Sequence, residues 1–308
     1  MGQQETEPRH SELIKLTDLK GDLHFHMAPE GEKVGELTGS WDSEIDAAKM
    51  IDWLAKYLPG LEYLVVTDHL ERWGRDPKRF HDNDKYGVEH SYDELKLVAT
   101  QLAKIRNLGE RQPGIKVISG VETSIQTAGT IGASKRMLDM FDLVVASEHY
   151  YPESKEERQP EELTARLLTA LSNPGVDIIG HPARNYTDWQ LIDWEKIARV
   201  AAGFDKAIEI NITSVAQSGF PPDPRLEPAR TLDVLKILAK GGVKVSIGSD
   251  MHKFWPLNSN SPLLPGQVFG LNRLIVDLNQ AGFKKSQILN TYKPTELIGW
   301  ARAHDKRS

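Results

Sequence analysis

The sequence contains no cysteine. A chain without cysteine forms no disulfides, offers no thiolate ligands to a metal and has no cysteine nucleophile. The sequence also lacks an apolar run of membrane-spanning length, and its first 16 residues are too polar for a signal peptide or a membrane anchor. These absences predict a soluble, cytoplasmic protein without a membrane partner.

The chain has only a small excess of one charge. It carries 38 basic and 44 acidic residues, for a formal net charge of −6, so no global positive field draws it to nucleic acid. The sequence shows neither a Walker phosphate loop nor a dinucleotide fingerprint, which disfavours enzymes that bind a nucleotide cofactor. The H-E-x-x-H pattern of zincin proteases is missing as well.

Seven short apolar runs alternate with helical patterns along the 308 residues. The runs cover 21–26, 61–69, 115–123, 141–149, 176–182, 207–213 and 243–252. The helix candidates include 43–57, 91–108, 161–172, 191–202 and 228–240. Continuous apolar runs are typical of parallel strands covered on both faces. Seven strand-helix units without a linker favour a single closed or nearly closed α/β barrel over two domains.

Residues able to bind metal gather where these strands end. The first run, "GDLHFHM" (21–27), places His24 and His26 on one face of a strand, with Leu23 and Phe25 on the other. Alone, the pair fits a metal site or two solvated histidines. Six of the ten histidines, however, lie at predicted strand ends, namely His24, His26, His69, His149, His181 and His252. Barrel enzymes build their active sites at this end.

Carboxylates accompany these histidines, among them Glu122 and Asp250. Imidazole with carboxylate and no sulfur suits zinc, manganese or iron. The number of ligands exceeds what one ion can use, so two or three ions are expected. Asp22 and Asp68 are candidates to hold the imidazoles or to satisfy backbone groups, and Glu209 is expected to orient a ligand or line the floor of the site.

The motifs "DLHFH", "TDH", "GVE", "SEH", "GHP" and "GSDMH", in this order, resemble those of the polymerase and histidinol phosphatase (PHP) superfamily. The match runs from about residue 14 to 303 and is closest to the PHP domain of bacterial family X DNA polymerases, here without a polymerase part. The resemblance implies a single domain at 14–303 with tails at 1–13 and 304–308. The implied fold is a distorted, TIM-like barrel of seven β/α units.

The resemblance also implies a trinuclear metal site. The ligands of the first ion would be His24, His26, Glu122 and Asp250. Glu122 would also bridge to a second ion held by His149 and His181. A third ion would take His69 and His252, and its remaining ligand is expected to be Glu30, with Glu32 as the alternative, because "HMAPEGEK" (26–33) departs from the family pattern there.

The implied activity is a metal-dependent phosphoesterase. A bound divalent ion lowers the pKa of its water from about 15.7 toward 7, so that hydroxide is available to attack a phosphomonoester or phosphodiester. The expected catalytic residues are Glu122, Asp250 and Arg184. Arg184 either holds phosphate oxygens or forms a surface ion pair.

The expected substrate is a small phosphorylated metabolite or a nucleic-acid 3′ end. Two alternatives stay open, a metal-dependent amidohydrolase on a similar barrel and a non-catalytic PHP module that binds partners. The sequence leaves the native metal and the oligomeric state undetermined.

Overall fold

The computed structural model describes residues 13–26, 51–52, 60–70, 114–126, 128–148, 160–182, 191–212, 228–251 and 265–305, together with scattered positions between 96 and 110. Every structural statement below concerns these residues. Their elements follow the predicted alternation of strands and helices.

Seven strands form one parallel sheet in this part of the chain, in the order of the sequence. They are β1 (Gly21–Phe25), β2 (Tyr63–Val66), β3 (Lys116–Ser124), β4 (Leu143–Ser147), β5 (Ile178–Gly180), β6 (Ala207–Asn211) and β7 (Lys244–Gly248). Six strands lie within their predicted apolar runs, and β3 extends one residue beyond the run at 115–123. The predicted α/β barrel is therefore confirmed.

The helices lie between and after the strands. They are α1 (Lys135–Leu138), α2 (Pro160–Leu171), α3 (Trp194–Gly203), α4 (Pro228–Lys240), α5 (Pro265–Ala281) and α6 (Pro294–Asp305). The helices predicted at 161–172, 191–202 and 228–240 are confirmed as α2, α3 and α4. Those predicted at 43–57 and 91–108 lie mostly outside the described residues.

Helix α3 illustrates how a capping residue and an apolar face position a helix against the sheet. The side chain of Asp193 accepts a hydrogen bond from the backbone N–H of Lys196 and so caps the first turn. The buried residues Ile197, Ala198 and Ala201 recur at helical spacing and turn one face of the helix inward. The helix therefore covers the sheet with an apolar face and leaves its charged residues in solvent.

Alternating strand residues form two apolar layers. The inner layer fills the barrel and consists of Leu23, Tyr63, Val65, Ile118, Leu143, Val145, Ile178, Ala207, Leu289, Leu297, Trp300 and Ala301. Its last four members come from the C-terminal segment, and the Trp300 Nε1–H donates to the Asp205 carbonyl just before β6. The C-terminal segment therefore plugs the amino end of the barrel and leaves the carboxyl end for the site. The outer layer joins the remaining strand residues to the helices.

Asn290 closes the barrel between β1 and β7. Its side-chain oxygen accepts from the Ile247 N–H (2.7 Å), and its amide donates to the carbonyls of Gly21 and Ile247 (both 2.8 Å). Near the carboxyl end, β1 and β7 meet directly, since the Asp250 N–H donates to the His24 carbonyl at 2.9 Å. One buried side chain thus takes the place of ladder hydrogen bonds at the amino end of the seam.

Strand β1 departs from simple alternation. Leu23 belongs to the inner layer and Phe25 to the outer one, so the prediction that both face away from the histidines together is wrong. The pairing register of β1 with β2 shifts between Asp22 and Phe25, and such a bulge changes which face a side chain takes. His24 and His26 still project together, because their rings are in contact.

None of the helices that the structure describes combines the length and hydropathy that a membrane span requires.

Candidate active site

The carboxyl ends of the strands bring six of the predicted site residues into one buried cluster. They are His24, His26, His69, Glu122, His181 and Asp250. The other four predicted site residues, Glu30, His149, Arg184 and His252, lie outside the described residues. So does Glu32, the alternative to Glu30.

Four of the six side chains form a compact group of donor atoms. The Nε2 atoms of His24 and His26 lie 3.1 Å apart. The nearest oxygens of Glu122 lie 3.4 Å from the His24 nitrogen and 3.6 Å from the His26 nitrogen. Asp250 Oδ1 lies 3.7 Å from the His24 Nε2 atom and 3.3 Å from the His26 Nε2 atom. These four residues are the ones that the family resemblance implies as ligands of the first ion.

The spacing of these atoms fits a metal. Ligands about 2.0–2.2 Å from a tetrahedral zinc lie about 3.3–3.6 Å from one another, close to the observed separations. The two Nε2 atoms supply a second reason. When the Nδ1–H of each ring donates to a carboxylate, both Nε2 atoms are acceptors, and two acceptors at 3.1 Å need a proton or a cation between them. The donor set therefore suits a divalent ion.

Glu122 lies at the centre of the cluster among four imidazoles. Its Oε1 atom lies 2.9 Å from His181 Nε2 and 3.4 Å from His24 Nε2. Its Oε2 atom lies 3.0 Å from His69 Nδ1 and 3.6 Å from His26 Nε2. Each oxygen of one carboxylate thus faces two rings, an arrangement suited to a group that bridges ions. His24, His181 and Asp250 form a second set whose donor atoms lie within 4.8 Å of one another.

Two carboxylates support the rings of His24 and His26 from behind. Glu209 Oε1 lies 2.9 Å from His24 Nδ1, and Asp68 Oδ1 lies 3.4 Å from His26 Nδ1. A carboxylate on the far nitrogen of a ligating imidazole fixes its tautomer and orientation. Asp22, the other predicted support, instead accepts from the backbone N–H groups of His24 and Ser249. Asn211 donates to Asp250 Oδ2, leaving Oδ1 toward the histidines.

The electrostatics of the cluster favour a cation. Burial by itself lowers the pKa of His24, but the charges of Glu209 and Glu122 outweigh burial and raise that pKa well above its ordinary value. Burial acts to raise the pKa of Asp250, but the hydrogen bond from His26 and the nearby histidine charges hold it well below its usual range. The cluster therefore holds positive charge against the cost of burial.

Two of the site residues have unusual backbone conformations. The φ angles of His181 and Asp250 are +24° and +51°, and residues other than glycine seldom adopt a positive φ. Such conformations persist where the surrounding structure enforces them, and they concentrate at functional sites. His181 follows β5 and Asp250 follows β7, so both mark the mouth of the barrel.

Sequence reasoning gave no role to two glycines inside the recognised motifs, Gly180 of "GHP" and Gly248 of "GSDMH". A Cβ atom at 248 would lie 1.9 Å from Glu209 Oε1, and one at 180 would lie 2.2 Å from Ser147 Oγ and 3.5 Å from Glu209 Oε2. Gly248 therefore leaves room for the Glu209 carboxylate inside the barrel, and Gly180 leaves room for the Ser147 hydroxyl beside it. The signal was present in the motifs, but only the packed barrel shows which side chain needs the space.

No family model matches the chain. A protein named probable phosphatase from Caldanaerobacter subterraneus is 30% identical over 198 residues, which are 63% of this chain and 65% of that protein. The DNA polymerase/3′-5′ exonuclease PolX of Bacillus subtilis is 28% identical over 246 residues, 78% of this chain and 35% of the polymerase. The chain thus spans just under two thirds of the first relative and about a third of the second.

A solved structure with the same fold is the histidinol phosphate phosphatase of Lactococcus lactis, determined with zinc, L-histidinol and phosphate. It superposes with a TM-score of 0.54 at 20% identity and covers 86% of this chain and 94% of that enzyme. At this identity the likeness concerns the fold. The barrel, the order of its strand-end motifs and the two relatives agree with the resemblance of the chain to the polymerase and histidinol phosphatase superfamily.

Proposed function

We propose that the protein is a metal-dependent phosphoesterase that hydrolyses a phosphomonoester or phosphodiester at a site of two or three divalent ions. The observation that carries the proposal is the pair of Nε2 atoms 3.1 Å apart, with carboxylate oxygens of Glu122 and Asp250 beside them. Packing alone does not account for this donor set, because removing charged groups from water costs free energy that apolar side chains would not incur.

The class of reaction follows from the relatives. The Caldanaerobacter protein is named a phosphatase, and the Bacillus relative includes an exonuclease, which cleaves phosphodiesters. The protein is therefore a hydrolytic enzyme that acts on phosphate esters. The identity of the ester, the metal and the number of ions are our proposals, with zinc, manganese and iron as the candidate metals.

The predicted ligands divide among the ions. When bound, divalent ions make a water acidic enough to ionise near neutral pH and offset the charge of the phosphoryl oxygens. His24, His26, Glu122 and Asp250 would hold the first ion. Glu122, His149 and His181 would hold a second ion, and His69 and His252 would hold a third.

The remaining assignments complete the site. Glu30 would add the negative charge that two neutral imidazoles lack at the third ion, and Arg184 would hold phosphate oxygens with its two-pronged guanidinium. Hydrolysis adds one water across the P–O bond of the ester, so that the products are an alcohol and a phosphate. Asp250 and Glu122 keep their oxygens in fixed places during this step, because Asn211 and the four imidazoles hold them.

The test combines an elemental analysis with a substrate panel. Protein purified without added metal should contain two to three equivalents of zinc, manganese or iron. It should hydrolyse p-nitrophenyl phosphate, bis-p-nitrophenyl phosphate or a 3′-phosphorylated DNA end. Faster hydrolysis of the DNA end than of either p-nitrophenyl ester would indicate a nucleic-acid substrate, and the reverse would indicate a small phosphorylated metabolite.

Two controls make the outcome decisive. Glu122→Gln should lose metal and hydrolysis together, whereas Lys236→Gln, a change at a distant exposed ion pair, should lose neither. Hydrolysis of amide substrates alone would favour an amidohydrolase. Full metal content with no hydrolysis of any substrate would favour a binding module.

A further inference from the structure

Glu209 connects two predicted metal ligands that come from different strands. It projects from β6 into the barrel, and its side chain is 1% exposed. One oxygen, Oε1, lies 2.9 Å from His24 Nδ1, and the other, Oε2, accepts the backbone N–H of His181 at 2.6 Å. A single carboxylate therefore supports a ring beside the first ion and the backbone of a ligand of the second.

This geometry decides which nitrogen of His24 faces the ions. A carboxylate can only accept, so the hydrogen bond to Glu209 requires a proton on Nδ1. The Nε2 atom, 3.1 Å from the corresponding atom of His26, then presents its lone pair to the cluster. The other oxygen accepts the backbone N–H of His181 and so helps to hold that residue at its unusual φ angle of +24°.

The barrel confines the carboxylate to this position. Gly248 and Gly180 flank it, and a Cβ atom at 248 would also lie 2.6 Å from the Cβ of His24. The chain therefore provides space for the carboxylate and little freedom for it to turn away. A packing residue would not need two acceptor atoms aimed at two ligands.

We propose that Glu209 is a positioning residue that selects the metal-binding tautomer of His24 and holds His181 in place, a role that rests on the proposed metal site. The site needs two acceptors, and glutamine supplies one. A glutamine oxygen that accepts from His181 turns the amide N–H groups toward His24 Nδ1, which then must accept, and the ring proton moves to Nε2. If the glutamine amide is turned the other way, its N–H groups face the backbone N–H of His181, and two donors oppose each other. Glu209→Gln therefore keeps the size of the side chain but cannot accept hydrogen bonds from both His24 and His181.

The experiment measures metal affinity rather than turnover. Metal-free wild type, Glu209→Gln and the control Asp177→Asn are titrated with Zn²⁺ against a competing chelator. Loss of a carboxylate behind a ligating imidazole weakens metal binding about 10–100-fold, and we expect that loss in Glu209→Gln. Asp177, also buried, accepts from the Val144 N–H at the other end of the barrel. The side-chain oxygen of asparagine can accept the same bond, so the zinc affinity of Asp177→Asn should be unchanged.

A second readout does not depend on Glu209→Gln. In zinc-loaded wild type labelled with ¹⁵N-histidine, the NMR signal that is lost in His24→Gln identifies the His24 ring, and its proton should reside on Nδ1. A proton on Nε2 would overturn the proposal even if Glu209→Gln failed to fold. Unchanged zinc affinity in a folded Glu209→Gln would overturn it as well. Zinc binding by wild type without hydrolysis of any ester would instead reject the proposed reaction and leave the role of Glu209 standing.

Discussion

The Nε2 atoms of His24 and His26 lie 3.1 Å apart, while the Nδ1 atom of each ring faces a carboxylate, that of Glu209 or Asp68. Two imidazoles oriented by carboxylates in this way repel each other unless a positive charge lies between them. The folded protein should therefore be more stable when a cation occupies the site than when the site is empty.

The first prediction follows from this repulsion. Chelator-treated protein should unfold at a lower temperature than zinc-loaded protein, because ligand at 100 times its Kd stabilises the folded state by about 2.7 kcal/mol. Thermal unfolding with and without Zn²⁺ measures the difference. In Glu122→Gln, which removes a carboxylate charge from the cluster, zinc should raise the melting temperature less. Equal melting temperatures of the metal-free and zinc-loaded wild type would count against a metal site.

The second prediction concerns the third ion. Glu30→Gln should lower the metal content by about one ion per chain and reduce activity by about 10–100-fold or more, in line with the cost of disturbing a metal's ligand shells. The physical reason is that two neutral imidazoles, from His69 and His252, hold a divalent ion poorly without a carboxylate. Elemental analysis of the purified variants measures the loss.

Glu32→Gln is the matched control for that experiment. If it has the effect and Glu30→Gln does not, the ligand is Glu32. Full metal content and full activity in both variants would show that neither carboxylate binds the third ion.

The third prediction concerns the seam of the barrel. Asn290→Ala removes three hydrogen bonds and leaves the Ile247 N–H and the carbonyls of Gly21 and Ile247 buried without this partner. A buried polar group without a partner costs about 1–3 kcal/mol. Urea denaturation should therefore show that the free energy of unfolding falls by at least that amount. Asn173→Ala, which removes one hydrogen bond to the Gly175 N–H in a turn, should cost less. A smaller loss for Asn290→Ala than for Asn173→Ala would contradict the role of Asn290 in closure.

The fourth prediction is a pH dependence at the start of α3. Hydrogen bonds from Lys196 lower the pKa of Asp193. A carboxyl with a lower pKa in the folded state stabilises the protein above its unfolded pKa of about 3.9, and that contribution is lost as the pH falls through the folded value. Asp193→Ala should lower the free energy of unfolding at pH 7 by about 0.5–2 kcal/mol.

Asp193→Asn separates the cap from the charge. Asparagine keeps an oxygen that can accept the Lys196 N–H but loses the ion pair with the Lys196 ammonium at 3.1 Å. Its deficit relative to wild type should shrink as the pH falls from the unfolded pKa of about 3.9 through the lower folded pKa of Asp193. Urea denaturation at pH 7 and at pH 3 tests this, and a deficit that grows on acidification would refute it.

The order and type of the elements could be predicted because both depend on local pattern. Apolar runs that end in polar residues, separated by helical periodicity, indicate buried parallel strands, and all seven were found. The faces of individual residues were less predictable. The bulge in β1 placed Leu23 and Phe25 in different layers, since the register shift arises from pairing with β2 and not from β1 itself.

The same division holds for the site. The sequence by itself determined which residue types stand at the strand ends, and these six described side chains do lie together. It could not determine that Glu122 faces four imidazoles, that Asp22 accepts from backbone N–H groups while Asp68 faces a ring, or that Gly248 makes room for Glu209. Those contacts join residues far apart in the chain, across strands whose register and twist only the closed barrel sets. Tertiary structure therefore decided which side chains contact each other in the site, because the distance between two side chains depends on packing and not on their separation in the sequence.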